Sequence, residues 1–249
     1  VLVDRTRRTT VKTRVIAQAQ QVVRVDREDT HDIGRTYAEG LAGAFRAHLN
    51  EVKGVIISDY AKGAINAALF EAIKQEQGKG KLGYKSIPLL VDPKGPNFGL
   101  YTAATIMKPN RAEAAEASGM TINDRPSAIA AAKLLLEKWS CEIVLITLGD
   151  LGMVLVSREG GGIKSAEINT VAQEVYDVSG AGDTVSAVFS LALAAGGDPR
   201  EAAELANIAA GIVVAEVGTV AVTADELKAA ILEHDELAEV APGKLSTKG

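Results

Sequence analysis

The chain opens on β-prone sequence and changes near residue 30 to short apolar runs alternating with helical stripes. Thr9 to Ile16 and Gln20 to Asp26 predict a pair of strands joined by a small-residue turn around Ala17 to Ala19. Ile33 to Leu49 has helical periodicity, Gly54 to Ser58 is a short buried strand, and Ile65 to Gln75 is a helix. Ile87 to Asp92 and Ala104 to Lys108 predict two more strands. Arg125 to Trp139 is helical, and Glu142 to Thr147 has the β-branched content of a central strand. Met153 to Ser157 and Gly162 to Ile168 read as a later antiparallel pair. The last third is nearly all helix, over Gly180 to Ala195, Pro199 to Glu216 and Ala224 to Glu233.

Strands alternating with helices imply an α/β fold, a mainly parallel sheet wrapped on both faces. Ligands of such sheets bind beyond the carboxyl ends of the strands. Polar clusters fall at that rim: Ser58-Asp59-Tyr60, Asp92-Pro93-Lys94-Gly95, Pro109-Asn110 and Thr147-Leu148-Gly149. Any one alone reads as an ordinary turn; their coincidence at one rim points to a site.

Composition narrows the class. A length of 249 residues allows one large domain or two small ones, and 47% apolar with 24% charged residues describes a soluble globular chain. Aromatic residues are only 4%, so packing rests on Ala, Val, Ile and Leu. No segment approaches the roughly 20 apolar residues of a membrane span. The start lacks an apolar signal core, Cys141 has no disulfide partner, and the three histidines lack metal-ligand spacing. Cys141 is expected to be a buried structural thiol. Together these features predict a cytoplasmic protein without a membrane partner. A net charge of −5 argues against a nucleic-acid binder. Arg5, Arg7 and Arg8 suit a solvated tail, whereas Lys12 and Arg14 lie inside a predicted strand, where binding a phosphate is more credible.

The run Asp177-Val-Ser-Gly-Ala-Gly-Asp183 carries the most specific chemistry. Gly180, Ala181 and Gly182 open a predicted helix, so backbone N–H groups can converge on an anion. Asp183 lies in the first turn, where the helix end favours a carboxylate. An anion cradle beside a carboxylate base is what phosphoryl transfer to a hydroxyl requires. The competing reading is a glycine turn that merely caps a core helix. No lysine follows Gly182, which excludes a Walker A loop. Gly180 to Val185 ends in valine, and Glu201 and Glu204 lie in an alanine-rich helix, which excludes a dinucleotide fingerprint.

With these residues the chain resembles the ribokinase-like (PfkB) family of sugar and nucleoside kinases, over essentially its whole length. The resemblance implies a three-layer α/β/α sandwich with a small β lid, and ATP and Mg²⁺ as cofactors. Asp183 is then the catalytic base, with Gly180, Ala181 and Gly182 as the anion hole for the γ-phosphate. Asn110-Arg-Ala-Glu113 matches the family's Asn-x-x-Glu element and implies a role around Mg²⁺ and the phosphates, with Glu113 reaching the metal directly or through water. An N-cap at Asn110 with Glu113 completing a capping box explains the same residues, and both can hold. Thr147, Gly149 and Gly152 match the stretch that lines the nucleotide, and Asn207 lies on the helix expected to flank the adenine. Asp177 and Ser179 match positions that can hold a monovalent cation such as K⁺, although Val178 replaces the usual threonine.

Within the family, Thr9 to Val15, Gln20 to Asp26, Ser58 to Gly63 and Val91 to Gly95 are most similar to the kinases of D-glycero-D-manno-heptose 7-phosphate. Those enzymes make the 1,7-bisphosphate for ADP-heptose and lipopolysaccharide core synthesis. An acceptor that already carries phosphate needs cations, and Lys12, Arg14, Arg24, Lys62 and Lys94 are the candidates, with Asp59 on the same rim. Solvated turn and strand-edge side chains are their alternative reading.

The resemblance divides the chain into a lid segment over 1–30, a kinase core over 31–237 and a tail or linker over 238–249. The family's opening βαβ structure with its Gly-Gly-x-Asn segment is absent, so an exposed sheet edge and a partial acceptor pocket are expected. A lid-mediated homodimer and a nucleotidyltransferase, fused or separate, are the implied partners. The alternatives are another acceptor (ribose, a hexose phosphate or a nucleoside) and a non-catalytic nucleotide-binding fragment.

Overall fold

The computed structural model describes residues 2–17, 20–102, 104–171 and 177–240. Strands β1 (Val11–Ala17) and β2 (Gln20–Arg27) pair antiparallel as a separate two-stranded ribbon, with Arg14 opposite Arg24 and Val15 opposite Val23. The expected turn falls largely on residues 18–19, outside the described residues. Side chains alternate across a ribbon, so Val11, Val15, Val23 and Val25 share one face while Lys12, Arg14, Arg24 and Asp26 share the other. The four valines are each about half exposed.

The main sheet has six strands in sequence order: β3 (Val55–Ser58), β4 (Leu89–Asp92), β5 (Ile106–Met107), β6 (Ile143–Thr147), β7 (Met153–Glu159) and β8 (Gly162–Ile168). β3 to β6 run parallel, and β7 and β8 complete the sheet antiparallel. Helix α1 (Arg35–His48) precedes β3, α2 (Ala67–Gly78) links β3 to β4, and α3 (Arg111–Ser118) and α4 (Arg125–Lys138) link β5 to β6. Helices α5 (Ala181–Ala194), α6 (Pro199–Val214) and α7 (Ala224–Val240) follow the sheet. The expected tail from residue 241 onward lies outside the described residues, and α7 runs past Glu233 to Val240.

Alternation along the strands separates two cores. Val91, Val144 and Ile146 face Phe70, Ile73 and Leu135 of α2 and α4. Leu90, Ile143 and Leu145 face Val185 and Phe189 of α5 and Ala203 and Ala206 of α6. The central strands β4 to β6 are therefore apolar on both faces, as a covered parallel sheet requires, and the result is the expected three-layer α/β/α sandwich. Alanines at Ala128, Ala131 and Ala132 let α4 approach the sheet closely, which is how a chain poor in aromatics fills its core. The Cys141 thiol is buried, and burial pushes its pKa up to about 12, so it is inert as expected. Among the described residues no helix is long and apolar enough to cross a membrane.

The switch from parallel to antiparallel occurs in the short connection after β6. Gly152 makes it possible with φ of 77°; a Cβ there would lie 2.1 Å from the Ile168 carbonyl oxygen.

Candidate active site

The carboxyl ends of β3 to β6 form one rim, and the polar clusters that stand out in the sequence occupy it. Asp59, just after β3, is buried at 5% exposure. Its Oδ1 accepts from the Ala61 amide at 2.7 Å, and its Oδ2 accepts from Asn97 Nδ2 at 2.7 Å and the Tyr101 hydroxyl at 2.6 Å. Both oxygens are thus engaged by the protein itself, and Asp59 fastens the rim. Burial, reinforced by the Asp59 carboxylate, pushes the Tyr101 hydroxyl pKa up and keeps it a donor.

After β4 come Asp92 and Lys94. Lys94 Nζ lies 2.5 Å from Glu113 Oε1. Glu113 also closes a capping box at the start of α3: Asn110 Oδ1 accepts from the Glu113 amide at 3.0 Å, and Glu113 Oε2 accepts from the Asn110 amide at 3.0 Å. The capping explanation of Asn110 and Glu113 therefore holds, and it fixes both side chains at the rim. Asn110 is bridged to Thr147, the last residue of β6, which brings the α3 start beside the stretch expected to line a nucleotide.

Lys108 is a residue that sequence reasoning does not single out. It follows β5 directly at 2% exposure, and its Nζ lies 3.0 Å from Asp92 Oδ2. Burial pushes the Asp92 pKa up against the lowering effect of Lys108, and the charges of Glu113 and Asp183 push it further. Carboxylates thus crowd one spot. Among the described residues no group of three or more Asp, Glu, His or Cys side chains forms a metal cage. Mg²⁺ needs no such cage, since it keeps waters and takes one or two carboxylates plus phosphate oxygens, and Asp92 and Glu113 fit that demand.

Gly180, Ala181 and Gly182 open α5 across from this cluster. Gly180 has φ of 87°, no side chain caps the helix, and the Ala181 amide donates to the Val178 carbonyl at 3.3 Å. A Cβ added to Gly182 would lie 3.6 Å from Lys108 Nζ, which places the buried ammonium against the same helix end. Asp183 is exposed in the first turn, open to an incoming molecule. Just upstream, Asp177 Oδ1 accepts from the Ser179 amide at 2.9 Å. That bond is the main cause holding the Asp177 carboxyl below its usual range, and the charge of Arg14 on the lid contributes.

A cavity of about 440 Å³ joins the helix end to the predicted nucleotide residues; Thr147, Gly149, Gly152, Ala181, Gly182 and Asn207 all line it. Asn207 is buried, and its Nδ2 donates to the Asn169 carbonyl at 2.6 Å, bracing the chain that leaves β8.

The basic lid residues are less free than their count suggests. Lys12 lies 3.1 Å from Asp26 and 3.7 Å from Glu28, Arg24 lies 2.9 Å from Asp26, and Lys62 pairs with Glu28. Lys62 thereby ties the loop after β3 to the end of the lid. The positive charge of Arg14 on the lid also acts on the Asp177 carboxyl at the glycine turn.

Residues 1–226 match the family described as pfkB family carbohydrate kinase. The chain is 46% identical over 250 residues to the bifunctional protein HldE of Caulobacter sp. (strain K31), covering 99% of this chain and 48% of that protein. It is 41% identical over 237 residues to the bifunctional protein HldE of Pelobacter propionicus, covering 95% of this chain and 47% of that one. The chain spans about half the length of the curated relatives it matches. Among solved structures, Escherichia coli phosphofructokinase-2 in complex with potassium aligns with a TM-score of 0.73 at 17% identity, covering 92% of this chain and 71% of that one. Giardia lamblia ribokinase aligns with a TM-score of 0.70 at 23% identity, covering 92% and 72%.

Proposed function

The chain belongs to the pfkB family of carbohydrate kinases, and from that premise we propose that it transfers the γ-phosphoryl group of ATP to the anomeric hydroxyl of D-glycero-D-manno-heptose 7-phosphate, giving the 1,7-bisphosphate. One observation carries the reading. An uncapped helix end at Gly180 to Gly182, with Asp183 exposed beside it, opens into the same cavity as Thr147, Gly149 and Gly152.

In this reading the nucleotide fills the cavity, and its γ-phosphate lies on the amides of Gly180 to Gly182. Asp183 accepts the acceptor's proton as the hydroxyl oxygen bonds to phosphorus. The bond from phosphorus to the β,γ-bridging oxygen breaks, and ADP leaves. Asp92 and Glu113 would hold Mg²⁺, which when bound offsets charge on the phosphate oxygens. Asp177 and Ser179 would hold a monovalent cation, a role for which the potassium complex of phosphofructokinase-2 offers an analogy.

The heptose acceptor rests on the lid and rim segments quoted for it and on the HldE relatives. The lid cations Lys12, Arg14 and Arg24 share one ribbon face, with Lys62 and Lys94 at the rim below. The acidic partners of Lys12, Arg24, Lys62 and Lys94 keep those side chains ordered until a sugar phosphate competes for them. The half-exposed valines on the opposite face of the ribbon support pairing with a second copy of the chain. A nucleotidyltransferase, fused or separate, is the partner the relatives' bifunctional name suggests, and the ATP requirement places the reaction in the cytoplasm.

A coupled ADP-release assay over a panel of sugars and sugar phosphates tests the acceptor. Heptose 7-phosphate is expected to give the highest kcat/KM, and preference for an unphosphorylated sugar would overturn the assignment.

A further inference from the structure

A lysine on its flexible stem binds a phosphate well only when something other than the phosphate holds it in place. Lys62 is held at both ends. Its backbone lies between two left-handed residues, Ala61 with φ of 53° and Gly63 with φ of 77°. Ala61 is strained in that region, and a Cβ on Gly63 would lie 2.0 Å from the His31 carbonyl oxygen. The Lys62 ammonium pairs with Glu28 Oε1, and the Lys12 ammonium, which also meets Asp26, stands 3.7 Å from Glu28 Oε2. One carboxylate therefore gathers an ammonium from the ribbon and another from the rim.

Fastening the lid to the rim does not explain Glu28, because other bonds already do so. Arg7, expected in a solvated tail, is instead part-buried: its Nη2 donates to the Asp29 carbonyl at 2.8 Å and to the Lys62 carbonyl. The Ile33 amide donates to the Gly63 carbonyl at 2.9 Å. An ion pair whose lysine is about a third exposed adds little to such a junction. Glu28 Oε2 is moreover buried without a hydrogen-bond partner among the described residues, a poor arrangement for a group whose purpose is stability. What Glu28 does achieve is to fix where two ammoniums stand before any anion arrives.

We propose that Glu28 is a positioning residue: it sets the ammoniums of Lys12 and Lys62 where the acceptor's own phosphate meets them, and so selects an acceptor that is already phosphorylated. The inference rests on the kinase reading above and deepens it. In that reading a sugar phosphate is held at both ends, its reacting hydroxyl at Asp183 and its phosphate at the lid. An ammonium out of place then costs binding in the productive pose. A free phosphate ion has no such tether and follows the ammoniums wherever they go. An ammonium paired with Glu28 still has donors to spare for phosphate oxygens. Removing the Glu28 charge alone would strengthen the binding of both anions, so the direction of change is diagnostic.

The test compares wild type with Glu28→Gln, Lys62→Met, their double variant and Arg7→Met, all in the full chain. For Glu28→Gln, KM and the calorimetric Kd for heptose 7-phosphate are expected to rise about tenfold, while kcat falls less than about threefold and Kd for orthophosphate stays level or drops. Tighter binding of both anions would reduce Glu28 to a charge effect and overturn the proposal. The double variant is expected to lose less than the product of the two single losses, since Glu28 acts through Lys62; losses that multiply would also overturn it. Arg7→Met is expected to lower the melting temperature, and Glu28→Gln to leave it within about 2 °C. An equal fall in both would make Glu28 a fastener and sink the inference. If wild type binds heptose 7-phosphate but transfers nothing to it, the kinase reading fails, and the Kd values for that sugar phosphate and for orthophosphate still decide Glu28. Wild type that does not bind heptose 7-phosphate at all would overturn the positioning role itself.

Discussion

The Tyr101 hydroxyl donates to Asp59 Oδ2 at 2.6 Å and accepts from the Lys94 amide at 2.9 Å, so one phenol ties the β3 end of the rim to the β4 end. Tyr101 is fully buried. Tyr101→Phe keeps the ring packing on Phe70 and Phe98 but leaves the Lys94 amide without this acceptor and Asp59 without one donor. Stripping a partner from a buried polar group costs roughly 1–3 kcal/mol. Urea unfolding of the variant is expected to show a loss in that range, and an unchanged midpoint would mean that the network does not hold the rim.

Gly152 allows a second prediction. With φ of 77° and a would-be Cβ 2.1 Å from the Ile168 oxygen and 2.7 Å from the Thr170 amide nitrogen, Gly152→Ala requires the turn after β6 to move. A side chain in this backbone region with a main-chain clash is expected to cost about 3 kcal/mol or more. Because Gly152 also lines the cavity proposed to hold the nucleotide, KM for ATP is expected to rise in whatever folded fraction remains. Thermal unfolding and ATP titration of the same preparation check both effects.

These two residues also show why the sequence reveals some of the site and hides the rest. The turn at Asp177 to Asp183 is legible because its geometry is local: small residues, an uncapped helix start and a carboxylate are all written within seven positions. The sheet is legible for a related reason, since its central strands are apolar on both faces and the strand order follows the chain. Lys108 and Asp92 meet only when β4 and β5 pair, so a lysine at the end of a short strand carries no signal until the register is known. Tyr101 reaches Asp59 in the same non-local way. The lid cations are visible, but their pairing with Glu28 and Asp26 is not, because attention to basic residues passes over the acids that share the ribbon. Helix α3 is short and buries few side chains, so its cap at Asn110 announces it better than its periodicity.

Glu142 predicts a pH dependence. It is half-buried, and burial pushes its carboxyl above the ordinary value of 4.5, against the lowering effect of the Tyr84 amide that it accepts from at 3.3 Å. A carboxyl whose folded pKa is raised favours the folded state most below its unfolded pKa, and that contribution is lost as pH rises through the folded pKa. Glu142→Gln keeps the acceptor and removes the charge. Its stability relative to wild type is therefore expected to be lowest near pH 4 and to improve toward pH 8, with a slope of at most about 1.4 kcal/mol per pH unit, the limit for one proton. Parallel urea titrations across that range measure it; a difference independent of pH would remove the burial argument.

Asp183 carries the remaining prediction, and its exposure makes the test clean. It caps nothing, lies in the first turn of α5, and is open to the cleft, so Asp183→Asn changes charge and basicity with little effect on packing. A general base contributes roughly 100-fold or more to turnover, and asparagine cannot accept the acceptor's proton. In the proposed reading the nucleotide is held elsewhere, by the cavity that Thr147, Gly149 and Asn207 line, so affinity for ATP is expected to stay near that of wild type. Removing the carboxylate also eases repulsion with the incoming γ-phosphate, so any change in ATP affinity is expected to be toward tighter binding. Steady-state kinetics with calorimetric ATP binding separate the two effects. Near-normal turnover with Asp183→Asn would show that the proton goes elsewhere, whereas lost ATP binding would make Asp183 part of the nucleotide site.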